Sequence, residues 1–216
     1  MARNNRTGER KSRTQHRHLR VPELGYYLIV TDTEGTERCF FNGLHADLPE
    51  DIREKLVVKV FETKTINLID KCIEYMAYDP QFRVPWIVFD RDEVKDFDQI
   101  IKEAEKQGIN VAWSNPCFEI WMHAYYGSMP NITESWTCCS KFGELYKKKT
   151  GVPYNKADES IYKRLIQTGN EAKAIEIAAQ KYKQCKESGY SEPSKMCPCT
   201  TVHKLVGEIR KKTGEK

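Results

Sequence analysis

The sequence predicts an α/β protein in which a parallel sheet of about four strands is covered by helices and continued by a mostly helical C-terminal half. Three observations predict it. The run Trp86-Ile87-Val88-Phe89 is apolar throughout, as suits a strand buried on both faces, and it ends in Asp90-Arg91-Asp92. Strand-like and helix-like segments alternate up to residue 115. Beyond that point the periodic segments have helical spacing, and no further strand is expected.

Tyr26–Thr31 (YYLIVT) is β-branched and aromatic and reads as the first strand, leading into the acidic loop Asp32-Thr33-Glu34-Gly35. Thr36 and Glu37 open a helix carrying Phe40, Phe41 and Leu44. Leu56–Phe61 is the second strand. Leu68, Ile69, Cys72, Ile73 and Met76 then mark a helix stopped by Asp79-Pro80. After the third strand, Asp96 is placed to cap a helix with Phe97, Ile100, Ile101 and Ala104 on its apolar face, ended by Gly108. Ile109–Trp113 is the fourth strand. Ser114-Asn115-Pro116 leads into a helix through Tyr125, with Pro116 at its first position and Asn115 as its cap. Helices are expected over Thr137–Thr150, Ser160–Gln167, Asn170–Lys186 and Thr200–Lys212, with joints such as Gly151-Val152-Pro153 between them. There is no internal repeat and no Gly-rich phosphate loop.

The organisation expected is a basic arm over residues 1–20, an α/β core over 21–130 and a helical extension over 131–216 packed on that core. The arm holds Arg3, Arg6, Arg10, Lys11, Arg13, Arg17 and Arg20 against the single acid Glu9, a net +6 within a chain of net +4, so the remainder is net −2. Such an arm buries too little apolar surface to fold alone; it suits contacts to phosphates or serves as a solubilising tail. No apolar run approaches a membrane span and the N-terminus does not resemble a signal peptide, so a cytoplasmic protein without a membrane partner is expected, its eight cysteines reduced.

Asp32 follows the first strand, Asp90 and Asp92 the third, and Asn115 and Glu119 the fourth, which brings them to one edge of a parallel sheet. Carboxylates gathered there repel one another unless a hard cation such as Mg²⁺ or Mn²⁺ neutralises them, and such an ion activates water and stabilises a transferring phosphoryl group. Glu119 has a plainer alternative, an acid favoured near a helix N-terminus. Phe118 and Trp121 read as core residues.

With those residues in place, the chain resembles a known family. Strand–acid–helix followed by strand–Asp-x-Asp is similar to the Toprim fold of topoisomerases, primases and overcoming-lysogenization-defect nucleases. YLIVTDTEGTERCFFNGL, WIVFDRD, SNPCFEIW and TTVHKLV together resemble the RloB-like proteins, the second component of AbiL-type abortive infection systems, over about residues 20–207. The resemblance implies a Toprim-like, metal-dependent nuclease in bacterial antiviral defence, encoded beside an ABC/AAA-like ATPase. It puts Asp90 and Asp92 in the place of the metal-binding pair. The family's first motif runs approximately E-G-x-x-T-E; aligned on Thr36-Glu37, its leading glutamate falls on Asp32 and its glycine on Thr33. Asp32 is one methylene shorter, so the loop moves inward, Glu34 substitutes, or activity is weakened; Glu37 supplies a ligand or an orienting hydrogen bond.

The site expected therefore comprises Asp32, Glu34, Glu37, Asp90, Asp92 and Glu119, with Asp90, Asp92 and Asp32 on the metal, Ser114 and Asn115 at the adjoining helix joint, and Arg10, Arg13, Arg17, Arg20, His203 and Lys204 on nucleic acid. A single histidine such as His123 or His203 is more often a structural group than a catalyst. Cys197-Pro198-Cys199 with His203 offers three soft ligands, with Cys185 or Cys138-Cys139 as a fourth. Lys147-Lys148-Lys149 and Lys181–Lys186 suit either a nucleic-acid groove or a solvated face. The function expected is metal-dependent hydrolysis of RNA, with tRNA among the candidate substrates, or of DNA. The competing readings are a weak or inactive module that binds nucleic acid and docks on the ATPase, and a receiver-like phospho-acceptor. A homodimer is compatible with the helical half, and no base-reading residue is visible.

Overall fold

The computed structural model describes residues 23–32, 35–78, 83–92 and 94–214, and of Leu56 and Tyr78 the backbone alone. The basic arm, including Arg10, Arg13, Arg17 and Arg20, lies outside the described residues, as do Glu34 and the Asp79-Pro80 stop. Five strands form one sheet in the order β2-β1-β3-β4-β5. These are β1 (Gly25–Asp32), β2 (Leu56–Thr63), β3 (Arg83–Asp90), β4 (Asn110–Asn115) and β5 (Cys199–Thr200). The first four run parallel, and β5 is antiparallel to β4.

Strand residues alternate between two cores, as the two-residue period of a pleated strand requires. Tyr27 and Ile29 of β1, Trp86 and Val88 of β3, and Ala112 of β4 join one apolar cluster. Leu28 and Val30, Ile87 and Phe89, and Trp113 join the other. Helix α1 (Thr36–Asp47) places Phe40, Phe41 and Leu44 in the first cluster. Helices α3 (Leu68–Tyr78) and α4 (Phe97–Lys106) cover the second with Leu68, Cys72, Phe97 and Ile101. A short α2 (Glu50–Arg53), not expected from the sequence, precedes β2; it buries no residue and so carries no apolar period.

After β4 come α5 (Glu119–Ala124), α6 (Ser135–Thr150), α7 (Ile161–Thr168), α8 (Glu171–Glu187) and α9 (Val202–Thr213). Phe118 and Trp121 are buried with Phe142, Tyr146, Tyr162, Leu165 and Val206 in the core shared with α1. Asn170 caps α8 by accepting from the Lys173 amide at 2.8 Å. No helix among the described residues is long and apolar enough to cross a membrane.

Three local expectations need correction. β5 contradicts the absence of strands after residue 115; two residues beside Pro198 carry no strand period, and pairing with β4 creates the strand. Ser114 Oγ meets Thr200 Oγ1 at 2.9 Å, and the Trp113 amide donates to Thr201 Oγ1 at 2.9 Å, so β5 closes an edge that would otherwise expose unpaired amides. Asn115 does not cap a helix: α5 starts only at Glu119, and Asn115 Nδ2 instead donates to the carbonyls of Pro193 and Ser194, both at 3.2 Å. Asp96 stands before α4 but makes no capping hydrogen bond.

The sites of closest packing give a stability test. A Cβ at Gly43 of α1 would stand 2.5 Å from Tyr162 Cβ of α7. Helix propensity alone would favour alanine there by about 1 kcal/mol. The overlap outweighs it, since overpacking costs roughly 1–3 kcal/mol. Gly43→Ala is therefore expected to lower the free energy of unfolding in urea, and an increase would show that α1 and α7 do not pack this closely.

Candidate functional site

The strand order decides where a site can form. From β1 the chain crosses by α1 to β2 on one side, whereas from β3 it crosses by α4 to β4 on the other. The connections diverge between the carboxyl ends of β1 and β3, and in open α/β sheets ligands bind at such a switch point. Asp32 ends β1 and Asp90 ends β3. Asp32, Glu37, Asp90, Asp92 and Glu119 all line one cavity of about 720 Å³ there.

Hydrogen bonds from backbone amides link two loops and hold two of these acids. The Arg91 amide donates to the Ser114 carbonyl at 2.9 Å, and the Asp92 amide donates to the Pro116 carbonyl at 3.0 Å. The Phe118 amide then donates to Asp90 Oδ2 at 3.3 Å. Asp92 has φ 21°, a region that aspartate tolerates better than most residues. The WIVFDRD and SNPCFEIW stretches thus form one unit, with Ser114 and Asn115 beneath the acids as its support.

Asp32 Oδ2 accepts from Thr65 Oγ1 at 2.5 Å, while Oδ1 is buried without a hydrogen-bond partner among the described residues. Burial raises the Asp32 carboxyl above its ordinary value, opposed by the Thr65 hydroxyl and amide. Glu37, in the first turn of α1, is buried and held well above the carboxylate range by desolvation, then by Asp90 and Glu119. Asp90 is pushed up to about 7 by burial, then by Glu119 and Asp92. Glu119 goes the other way. Burial raises it, but the Lys156 ammonium and the Tyr154 hydroxyl outweigh that and leave it lowered. Tyr154 donates to Glu119 Oε1 at 2.7 Å and meets Thr36 Oγ1 at 3.0 Å, and Lys156 Nζ lies 3.5 Å from Glu119 Oε1.

Thr65, Tyr154 and Lys156 were not singled out from the sequence. Tyr154 and Lys156 follow the Gly151-Val152-Pro153 joint, and only packing of the helical half brings them here. His203 and Lys204 do not line the cavity. His203 is buried with Nδ1 3.0 Å from the Thr200 carbonyl, and burial lowers it to about 4, leaving the ring neutral at pH 7. Lys204 Nζ lies 4.3 Å above the Tyr182 ring. His123 is also buried and lowered by desolvation. Cys197 Sγ faces the carbonyls of Ile132 and Thr133 at 3.8 and 3.9 Å, so Cys197, Cys199 and His203 do not converge on one point.

The raised carboxyls set a pH dependence. A carboxyl raised on folding binds its proton more tightly in the folded chain, so stability is greatest below the unfolded pKa and falls as pH rises through the folded value. For Asp90 that window runs from about 4 to about 7. Asp90→Asn should therefore raise stability at pH 8 without divalent ions, by on the order of 2 kcal/mol, and flatten the decline between pH 5 and 8. Urea denaturation at the two pH values measures this; an unchanged decline would remove Asp90 from the repulsive cluster.

No curated protein and no solved structure matches the chain significantly. The family model described as RloB-like protein matches residues 27–209, from the middle of β1 to the last turns of α9, and so includes every element that builds the acidic cavity. The chain belongs to the RloB-like protein family.

Proposed function

We propose that this chain is a metal-dependent nuclease that hydrolyses phosphodiester bonds at the acidic cavity. The observation that carries the reading is the convergence of five carboxylates at the switch point, where burial raises Asp32 and burial with mutual repulsion raises Glu37 and Asp90. The donor set fits a hard cation: the ligands offered are oxygens, and Asp32 Oδ1 is buried with no partner among the described residues. Asp90, Asp92 and Asp32 would hold Mg²⁺ or Mn²⁺. Once bound, the ion supplies Lewis acidity and an activated water.

The chain's own groups divide the remaining work. Glu37, buried and held well above the carboxylate range by desolvation and then by Asp90 and Glu119, suits a general acid to a leaving oxygen. Glu119, ionised and fixed by Tyr154, suits an acceptor of the water's proton. Lys156, whose side chain is 62% exposed, can turn its ammonium to a substrate phosphate.

Trp136 supports nucleic acid as the substrate class. It is 81% exposed on α6 and shares a surface pocket of about 270 Å³ with Arg91, Asp92 and Asn115. An aromatic ring beside a cation at the edge of an acid site suits an unpaired base and its phosphate. In this reading the chain is the cytoplasmic effector of an abortive infection system, working with a neighbouring ABC/AAA-like ATPase and with the basic arm adding phosphate contacts. The alternative, a binding module of little or no activity, draws on one observation: Asp32 replaces the family's glutamate and already has one oxygen engaged by Thr65.

The test is Mg²⁺- or Mn²⁺-dependent cleavage of tRNA, single-stranded RNA and duplex DNA. The unaltered chain should cleave at least one substrate, and Asp90→Asn/Asp92→Asn should lose at least about 100-fold. Equal activity in both chains would overturn the assignment, and binding without cleavage by either would leave the module reading. Trp136→Ala should weaken binding of an unpaired oligonucleotide about 10-fold, from roughly 1–3 kcal/mol of stacking per base, with little effect on a duplex. Equal affinity for the unpaired strand would remove Trp136 from the interface.

A further inference from the structure

We propose that Cys117, Glu119 and Cys139 form a second metal site, selective for a soft divalent cation such as Zn²⁺, which borders the carboxylate cavity and shares Glu119 with it. The ligand atoms of the three residues all lie within 4.8 Å of one another. Cys117 Sγ and Cys139 Sγ are 3.8 Å apart. A tetrahedral zinc ion with Zn–S bonds of about 2.3 Å has an S···S edge of about 3.8 Å, so the two sulfurs already stand at the separation the ion requires.

That separation is also an ordinary contact between thiols, so the rest of the site decides between the two. The sulfurs come from different elements, the β4–α5 loop and α6, and a buried carboxylate converges on the same point. A cation is already drawn there: the Lys156 ammonium lies 3.5 Å from Glu119 Oε1. Its exposed side chain can leave when a metal replaces it. Cys139 lines an open surface pocket of about 600 Å³ that has only Lys156 in common with the carboxylate cavity, which gives the ion its own path from solvent.

Three protein ligands leave the fourth position of a tetrahedron to water. On binding, each thiol gives its proton to solvent and its sulfur bonds to the metal, with no change of oxidation state. Thiolate ligands select Zn²⁺ over Mg²⁺, whereas the all-oxygen cavity favours the harder ion. This site rests on its own geometry and does not depend on the nuclease reading.

Titrating Co²⁺ into the reduced, metal-free full chain tests the site, because thiolate ligation gives a near-ultraviolet charge-transfer band. The band is expected to saturate at one Co²⁺ per chain, to disappear on adding Zn²⁺ and to persist in excess Mg²⁺. Cys139→Ser should lose half of the band or more, with circular dichroism confirming the fold; being half-exposed, Cys139 is the safer of the two sulfurs to replace. Asp90→Asn/Asp92→Asn should keep the band in full, whatever its effect on cleavage. Absence of the band, its removal by Mg²⁺, or its full survival in Cys139→Ser would each overturn the proposal, the last by assigning it to other thiols.

Discussion

Repulsion among the carboxylates gathered around the carboxyl end of β3 is the constraint on which the rest of this structure depends. Asp90 meets the exposed Asp92 and the buried Glu119, and Glu37 meets Asp90 and Glu119, where the burial of Glu37 and Glu119 limits screening by water. The folded chain tolerates this because rigid backbone holds the acids. The amides of Arg91, Asp92 and Phe118 tie the β3 loop to the β4–α5 loop, so the acids cannot relax apart without breaking hydrogen bonds. Placing Asp90 in the middle of a sheet packed on both faces removes the remaining freedom.

Repulsion at one edge also explains why the helical half is more than a cover. Tyr154 and Lys156, between α6 and α7, bring the one hydroxyl and one ammonium that lower Glu119 while its neighbours Glu37 and Asp90 are raised. Two carboxylates pushed apart in this way can take opposite protonation states near neutral pH, which is what a division into proton donor and proton acceptor requires. The neutral member is held by burial and the ionised member by a cation from a different part of the chain. Neither environment would be complete with the sheet alone.

Much of this was legible in the sequence because it depends on local period. A run such as Trp86–Phe89, apolar at every position, has few alternatives to a strand covered on both faces. The α6–α9 helices were expected within about two residues of their observed ends. The order of strand, acid and helix puts Asp32, Asp90, Asp92 and Glu119 on one edge, and the family resemblance adds Glu37. What stayed hidden depends on contacts between distant segments. β5 has only two residues and is a strand solely because Ser114 and Asn115 pair with it. Tyr154, Lys156 and Trp136 carry no motif, and their nearness to the acids follows from how α6 packs. His203 shows the converse: a motif locates a residue in the chain without saying that packing turns its ring inward.

Asp32 shows why the substitution of one residue has to be judged with its neighbours. A carboxylate one methylene shorter than glutamate reaches less far, which alone would weaken a metal site. Yet Thr65 holds Oδ2 at 2.5 Å, and that bond orients the group. Oδ1 is left buried and without a partner among the described residues, a costly state for an oxygen unless something positive satisfies it. The lost reach is therefore offset by fixed direction, since a pre-oriented oxygen loses little freedom on meeting a cation. In the proposed enzyme, Thr65 would do for Asp32 what Tyr154 does for Glu119: engage one carboxylate oxygen so that the other is available to the chemistry.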